Sequence, residues 1–394
     1  MAAITQQSGG QLRDAVIVGA GIGGLAAAIA LHRAGWRVRV LERAANPREL
    51  GFALLLAPNA MHALRQLGVA DAVIAGGQVA TDGEMRRMDG TVLRRFELHR
   101  LRDLLPEPTI TVLRPVLHGA LLDSLPAGAL QLASEVTGLT ATGDSVDVAM
   151  AGGGSVRADM VVGADGVGSV VRGLLHPNEA PPRTSGLFGL RGVAHGVAAQ
   201  MGTSSGAQYF GRGVEAGLGR AASDTVYWYI SLPRTVATTA ELNPQRVVDL
   251  LVGRFDSRFR TIVCATRPED MRLDELFDRP PLSEWGRGRV TLLGDAAHPM
   301  LPHAGQGAAQ ALEDAVALGR AFTSSGDVNA ARQRYERVRM ARTSEVVTLA
   351  HRNAKMGSLD SPFACWLRET AIRLIPERVI LRRLVALGKP PVNL

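Results

Sequence analysis

The stretch DAVIVGAGIGGLAAAIALHRAGWRVRVLER (residues 14–43) decides the fold. Residues 15–18 are all apolar, as a short parallel strand buried on both faces requires. Small residues with a helical apolar stripe follow over 25–34, Gly35 stops them, and 38–41 read as the next strand. Between strand and helix, Gly19, Gly21 and Gly24 keep the GxGxxG spacing. The first glycine permits a tight turn, the second lets backbone approach a pyrophosphate, and the third lets the helix lie close to the strand. The helix N-terminus adds N–H donors and partial positive charge. Glu42, at the end of the second strand, is placed to accept from a ribose hydroxyl pair. The competing reading is a glycine-rich turn beside a surface glutamate.

A second side-chain-poor stretch is GDAAHPMLPHAGQGAAQALEDA (294–315), which follows the apolar run RVTLL and opens a long helix. An Asp after a buried strand, then a turn with almost no bulk, builds a place where backbone meets ligand. Asp295 can hold hydroxyls of a polyol chain, and the N–H groups around Gly305, Gln306, Gly307 and Ala308 can face an electron-rich ring edge. Glycine is used because a Cβ would keep a flat ring off the backbone. A third strand–turn–helix is GADGVGSVVR (163–172), with Asp165-Gly166 in the turn, Ser169 in the first helical turn and Arg172 after it.

Elsewhere, one helix is expected over 57–73, a hairpin around Asp89-Gly90 over 83–98, and an amphipathic helix over 114–125. A second hairpin at the glycines of 152–154 leads to a buried strand ending at Gly163. Between 183 and 233 short strand-like runs (GLFGLRGVA, GAQYFGRG, TVYWYISLP) alternate with Gly-rich turns, which predicts an antiparallel sheet inserted into the parallel one. Helices are expected over 305–322, 328–353 and 362–387, the last bent at Pro376.

The 394 residues, 46% hydrophobic and 21% charged, have an ordinary globular composition. No apolar run is long enough for a membrane span, and the opening MAAITQQSGGQLR reads as a tail without a signal-peptide core. Two cysteines without CxxC spacing suggest neither a disulfide framework nor a metal, and a cytoplasmic setting is expected. The net charge of +7 comes almost wholly from scattered arginines, only Lys355 and Lys389 being lysines, and aromatics make up just 4%. That pattern argues against nucleic acid and for anionic small molecules.

Together the three stretches resemble the FAD-dependent single-component aromatic hydroxylases, the p-hydroxybenzoate hydroxylase family, and especially its salicylate- and urate-hydroxylase-like branch. PNA at 58–60, LxxLG at 64–68 and DRPPLSEWGRGRV at 278–290 agree. The resemblance covers 14–350. It implies an α/β fold: a Rossmann-like FAD-binding domain, an inserted antiparallel β-sheet substrate domain, and C-terminal helices. The FAD-binding domain would take 1–80 (with 1–13 a tail), 101–180 and 276–350. A substrate-side hairpin would take 81–100, the substrate sheet 181–275, and the C-terminal helices 351–394.

By the same resemblance Gly19, Gly21 and Gly24 would hold the FAD pyrophosphate, Glu42 and Arg43 the adenosine end, and Arg114 would reach back to the phosphates. Val136 backbone would lie by the adenine and Asp165 between flavin and pyridine nucleotide. Asp295 would bind the ribityl chain, Gly305–Ala308 the pyrimidine edge, and Pro302 would sit at the oxygen-reacting face of the ring. Tight FAD, transient NADPH or NADH, and O₂ are implied, with oxygen passing to an aromatic or heteroaromatic carbon through a flavin C4a-hydroperoxide. Substrate would lie between flavin and the inserted sheet, near Arg191, His195, Tyr209, Tyr227 and Tyr229. Leucines 54–56, Leu55 among them, make one pocket wall apolar and favour a lipophilic or bulky aromatic. GLRGVA lacks the tryptophan of the family's WRG; Arg191 and Pro302 are the catalytic candidates, with no base among them. The rivals are epoxidation or other oxygen insertion on a non-aromatic substrate, a same-fold reductase, a flavin halogenase disfavoured because the first 354 residues hold no lysine, and a non-catalytic flavoprotein. The basic C-terminal helix is expected to pack on the FAD domain in preference to a membrane surface.

Overall fold

The computed structural model describes residues 13–46, 52–324 and 326–389; all but the last residue of the tail expected over 1–13 lies outside them. Strand β1 (Asp14–Val18) runs into helix α1 (Ile22–Arg33), and Gly35 at φ +86° turns the chain into β2 (Arg37–Leu41). After β3 (Ala53–Leu56), the single helix expected over 57–73 is two, α2 (Pro58–Gln66) and α3 (Ala70–Gly76), because Gly68 at φ +71° ends the first. Next come β4 (Gln78–Val79), the hairpin β5 (Gly83–Arg87) and β6 (Val92–Phe96), then β7 (Ile110–Leu113) and α4 (Arg114–Asp123). Strand β8 (Leu130–Gln131), the meander β9 (Val136–Thr142), β10 (Ser145–Met150) and β11 (Ser155–Ala158), then β12 (Met160–Gly163) and α5 (Val170–Leu175) complete this half.

The inserted part holds β13 (Arg183–His195), β14 (Gly206–Phe210), β15 (Glu215–Ala222) and β16 (Thr225–Pro233). Helices α6 (Arg234–Thr239), α7 (Pro244–Leu251) and α8 (Ser257–Cys264) follow, then β17 (Met271–Asp278). The chain returns through β18 (Val290–Leu292) to α9 (Gly307–Thr323), α10 (Val328–Gly357), α11 (Pro362–Leu374) and α12 (Glu377–Gly388), the last two separated at Pro376.

The parallel sheet has the order β18-β12-β1-β2-β8, so residues 183–278 are spliced between its strands β12 and β18. The second sheet, β17-β13-β16-β15-β14-β5-β6, is antiparallel except where β14 meets β5. Strand β15 and helices α6–α8 were not read from sequence. EAGLGRAA has poor strand propensity, but a Cβ at Gly217 would lie 2.4 Å from the Tyr229 ring, so a central strand here must be bare.

Helix α1 is buried on nearly every side: Leu25 and Leu31 are fully covered, each contributing about 1.5–3 kcal/mol of burial. Its neighbour α9 crosses so closely that a Cβ on Gly319 would meet the Ala30 carbonyl oxygen at 3.0 Å. This crossing fixes the start of α9 beside the first glycine turn.

Candidate active site

The three glycines of the first turn have separate jobs. A Cβ on Gly19 (φ +102°) would stand 2.6 Å from Ala164 O, and one on Gly24 would stand 1.9 Å from Gly19 O. Both are bare so that protein can pack. A Cβ on Gly21 meets nothing within 4 Å, so that glycine opens onto space. Gly21 is also the N-cap of α1 and offers no side chain to the first N–H groups. The turn is held from behind by Glu42, which accepts from Ala20 N and Ala44 N at 2.8 Å each, and by His118 Nε2 against Ala20 O at 2.8 Å. Arg43 is exposed; Val136 is buried at the start of β9, paired with Met150.

The second turn is equally bare. Gly294 and Gly305 take φ of +63° and +62°, and a Cβ on Gly307 would meet only Asp295 Oδ1, at 4.0 Å. The N-cap of α9, Gln306, is buried, its Oε1 accepting from Asn59 Nδ2 at 2.9 Å and Gln310 Nε2 at 3.1 Å. Gly307 and Ala308 begin the helix with no capping side chain in front of them. Asp295 is open to the cleft yet ringed by protein, which pushes its carboxyl up, against the pull of His298 and Arg114. An open carboxylate beside an uncapped helix N-terminus is a fit for a polyol joined to an electron-rich ring.

Beneath this turn lies a buried ionic cluster that the sequence reading missed. Arg339 donates to Asp314 Oδ1 (2.7 Å), Glu313 Oε2 (2.5 Å) and Gln310 Oε1 (2.7 Å), all fully buried. Asp314 Oδ2 accepts from His298 Nε2 at 2.6 Å and Gly294 N at 3.0 Å, and Asn59 Nδ2 reaches Glu313 at 2.6 Å. Burial alone would raise Asp314, but His298 and Arg339 pull it down to about 2. Asp314 therefore holds the turn's backbone from inside, while Glu313 ties Asn59 and Arg339 beneath it.

The third stretch serves the second. Asp165 caps α5, accepting from Val170 N at 2.7 Å and from the Ser169 hydroxyl, while Ser169, the N-cap, accepts from Arg172 N at 2.9 Å. Buried Arg172 then donates to Ala296 O and Ala297 O, both at 2.9 Å. Two motifs far apart in sequence are thus one backbone scaffold.

Register sets what the inserted sheet presents. Arg191 lies opposite Tyr229, which lies opposite Gly217, which lies opposite Gln208, so these share one face with Tyr227 and Ser231. On it, Glu215 Oε1 accepts from Tyr229 Oη at 3.1 Å and Gln208 Nε2 at 2.9 Å, and burial raises the Glu215 carboxyl. Arg191 pairs with Asp274 and lies 5.2 Å from the Phe52 ring, its Nε buried without a hydrogen-bond partner. Ser231 Oγ meets His303 Nε2 at 2.9 Å, joining this face to the turn that Pro302 opens; Pro302 itself is exposed. Leu55 is 52% exposed on β3.

Tyr209 needs correction. It pairs with Ala216 and so faces the opposite way, fully buried against Phe255 and Phe259, with Arg258 donating to its hydroxyl. It is a core residue under α8. His195 ends β13, exposed beside Thr225.

Burial pushes His303 down to about 4 from an ordinary 6.5. The unfolded chain therefore takes the proton first, and this group's stability, complete above about pH 6.5, is lost as pH falls toward 4. His303→Gln is expected to flatten that limb, read as urea midpoints at pH 7.5 and 5.

The chain matches the family profile described as FAD binding domain over residues 13–350. It is 33% identical to aurachin C monooxygenase/isomerase of Stigmatella aurantiaca over 91% of this chain and 94% of that one. To 6-hydroxynicotinate 3-monooxygenase of Bordetella bronchiseptica it is 32% identical, over 89% and 94%. Klebsiella pneumoniae HpxO, crystallised with FAD and uric acid, superposes with a TM-score of 0.87 at 25% identity, covering 95% of this chain and 96% of that one. The chain belongs to the FAD-binding-domain family and is an FAD-dependent monooxygenase of the aromatic-hydroxylase type.

Proposed function

We propose that the protein inserts one oxygen atom from O₂ into an aromatic or heteroaromatic small molecule bound between the FAD and the Arg191–Tyr229 face, with NADH or NADPH as reductant. The observation that carries this is a pair of ligand-open, side-chain-poor turns, the second holding Asp295 beside Gly307 and tied through Ser231 and His303 to a sheet face of aromatic and polar groups. Rings named for the relatives, 3-hydroxybenzoate and 6-hydroxynicotinate among them, belong to this class.

Gly21, in the turn that Gly19 and Gly24 shape by close packing, would take the pyrophosphate, Glu42 and Arg43 the adenosine side with Val136 backbone near the adenine, and Arg114 and Asp165 the cleft between. Asp295 would accept from ribityl hydroxyls, and the N–H groups of 305–308 would donate to the pyrimidine edge beside Pro302. Bound FAD supplies hydride acceptance and O₂ activation. The chain's part is to position substrate and exclude water. Arg191, released from Asp274, attracts an anionic or phenolate group; Tyr227 and Tyr229 offer ring surface; Leu55 keeps one wall apolar; Gln208 and Glu215 hold the Tyr229 hydroxyl. In this reading the FAD-binding unit comprises 1–80, 101–180 and 276–350, and 81–100 with 181–275 forms the substrate unit.

A panel of aromatic and heteroaromatic compounds, scored for stimulated NAD(P)H consumption and for incorporation of label from ¹⁸O₂, tests the proposal. Label in an aromatic product supports it; stimulated consumption without label in any product favours a reductase. Two variants separate folding from binding at the glycine turn. Gly24→Ala is expected to abolish soluble protein, whereas Gly21→Ala should leave the apoprotein melting temperature unchanged and weaken FAD binding about tenfold or more.

A further inference from the structure

Helix α11 is oriented against its own amphipathicity. It buries Cys365, Arg368 and Ile372 and turns Phe363, Trp366, Leu367 and Leu374 outward, at 69%, 57%, 53% and 74% exposure. Those four share one side of the helix by spacing, and Phe363 stacks on Trp366 at 5.9 Å. The orientation is locked. Arg368 donates to Gly211 O (3.0 Å) and Met356 O (3.1 Å) and lies 5.0 Å from the Phe210 ring, while Glu369 accepts from Arg87 at 2.7 Å. Rolling the apolar face inward would expel a buried guanidinium from its partners.

The chain continuing from this face is cationic. Arg373 on α11 and Arg378, Arg382 and Arg383 on α12 are exposed, and no ion pair joins them to an acid among the described residues. The nearby Glu377 is already bridged to Arg100 at 3.2 Å.

We propose that this face docks the protein on an anionic lipid bilayer, with Phe363 and Trp366 at headgroup depth and the arginines against lipid phosphates. A second copy of the chain fits less well: a two-fold contact would set the arginines against their own images. The four side chains also expose only on the order of 500 Å², short of the ~800 Å² per partner of a standard interface. No described helix is long and apolar enough to cross the bilayer, so the contact is peripheral.

The protein carries its own reporter, because Trp36, Trp228 and Trp285 are 4%, 0% and 2% exposed and only Trp366 is open. Flavin-loaded protein titrated with vesicles of equimolar phosphatidylcholine and phosphatidylglycerol should shift its tryptophan emission to the blue and co-sediment. Affinity should fall at least about tenfold with pure phosphatidylcholine, and likewise in the Arg382→Glu/Arg383→Glu double variant, which keeps the reporter. Phe363→Ser/Trp366→Ser should abolish sedimentation with melting temperature and NAD(P)H oxidation unchanged. No sedimentation of the wild type overturns the proposal. So does equal binding to neutral vesicles, or light scattering that finds a dimer dissociated by Phe363→Ser/Trp366→Ser.

Discussion

Asp295→Ala is expected to purify almost colourless, with affinity for FAD lowered about 100-fold. Two charge-assisted hydrogen bonds to ribityl hydroxyls at about 1.5 kcal/mol each account for a loss of that size. The same substitution should not harm the apoprotein. The Asp295 carboxyl is raised by burial, so its ionised form costs stability. That cost is absent below the carboxyl's unfolded-state value and grows as pH rises through the folded one. At neutral pH the variant apoprotein should therefore melt no lower than the wild-type apoprotein, and Asp295→Asn should behave alike with a smaller loss of flavin. Absorbance of the purified proteins and calorimetry of the flavin-free forms check both halves. A fully flavin-loaded Asp295→Ala, or one whose apoprotein is strongly destabilised, contradicts the role given to this side chain.

Arg339→Met should cost about 3–5 kcal/mol, the range for leaving buried carboxylates without their partner. Glu313 and Asp314 would then keep only Arg342 and His298 as charged partners. In the wild type Asp314, held near 2, contributes stability that is present above the unfolded carboxylate value and lost as pH falls toward 2. In the variant Asp314 loses the guanidinium that holds it down and takes up its proton at higher pH, so the stability gap to wild type should narrow on acidification from pH 7 to 5. The triple variant Arg339→Met/Glu313→Gln/Asp314→Asn should recover part of the loss. Urea denaturation at the two pH values measures all three. An equal gap at both would mean that packing, not charge, accounts for the effect.

Much of the fold was legible because it rests on backbone requirements that few residues meet. GAGIGG and GDAAH read correctly as strand–turn–helix units, since glycine and small residues at those positions have few other uses. Their inner division of labour was not legible: only the fold shows Gly24 pressed on Gly19 O and Gly21 facing open space. Nor was the Arg339–Asp314 pair, joined across two helices 25 residues apart. Tyr209 failed for a different reason. Alternation puts Tyr227 and Tyr229 on one face, but the face of Tyr209 depends on register through β15, the glycine-rich strand that pattern reading passed over. Helix α11 shows the same limit, because periodicity marks an apolar stripe without saying whether protein covers it; here Arg368 takes the inside.

The most direct test is the structure of the flavin-loaded protein. One FAD per chain is expected, with its pyrophosphate at the Gly21 amide, its ribityl chain on Asp295, and its pyrimidine edge within hydrogen-bond reach of the 305–308 backbone. A flavin bound elsewhere, or those glycines in contact with protein alone, would contradict it.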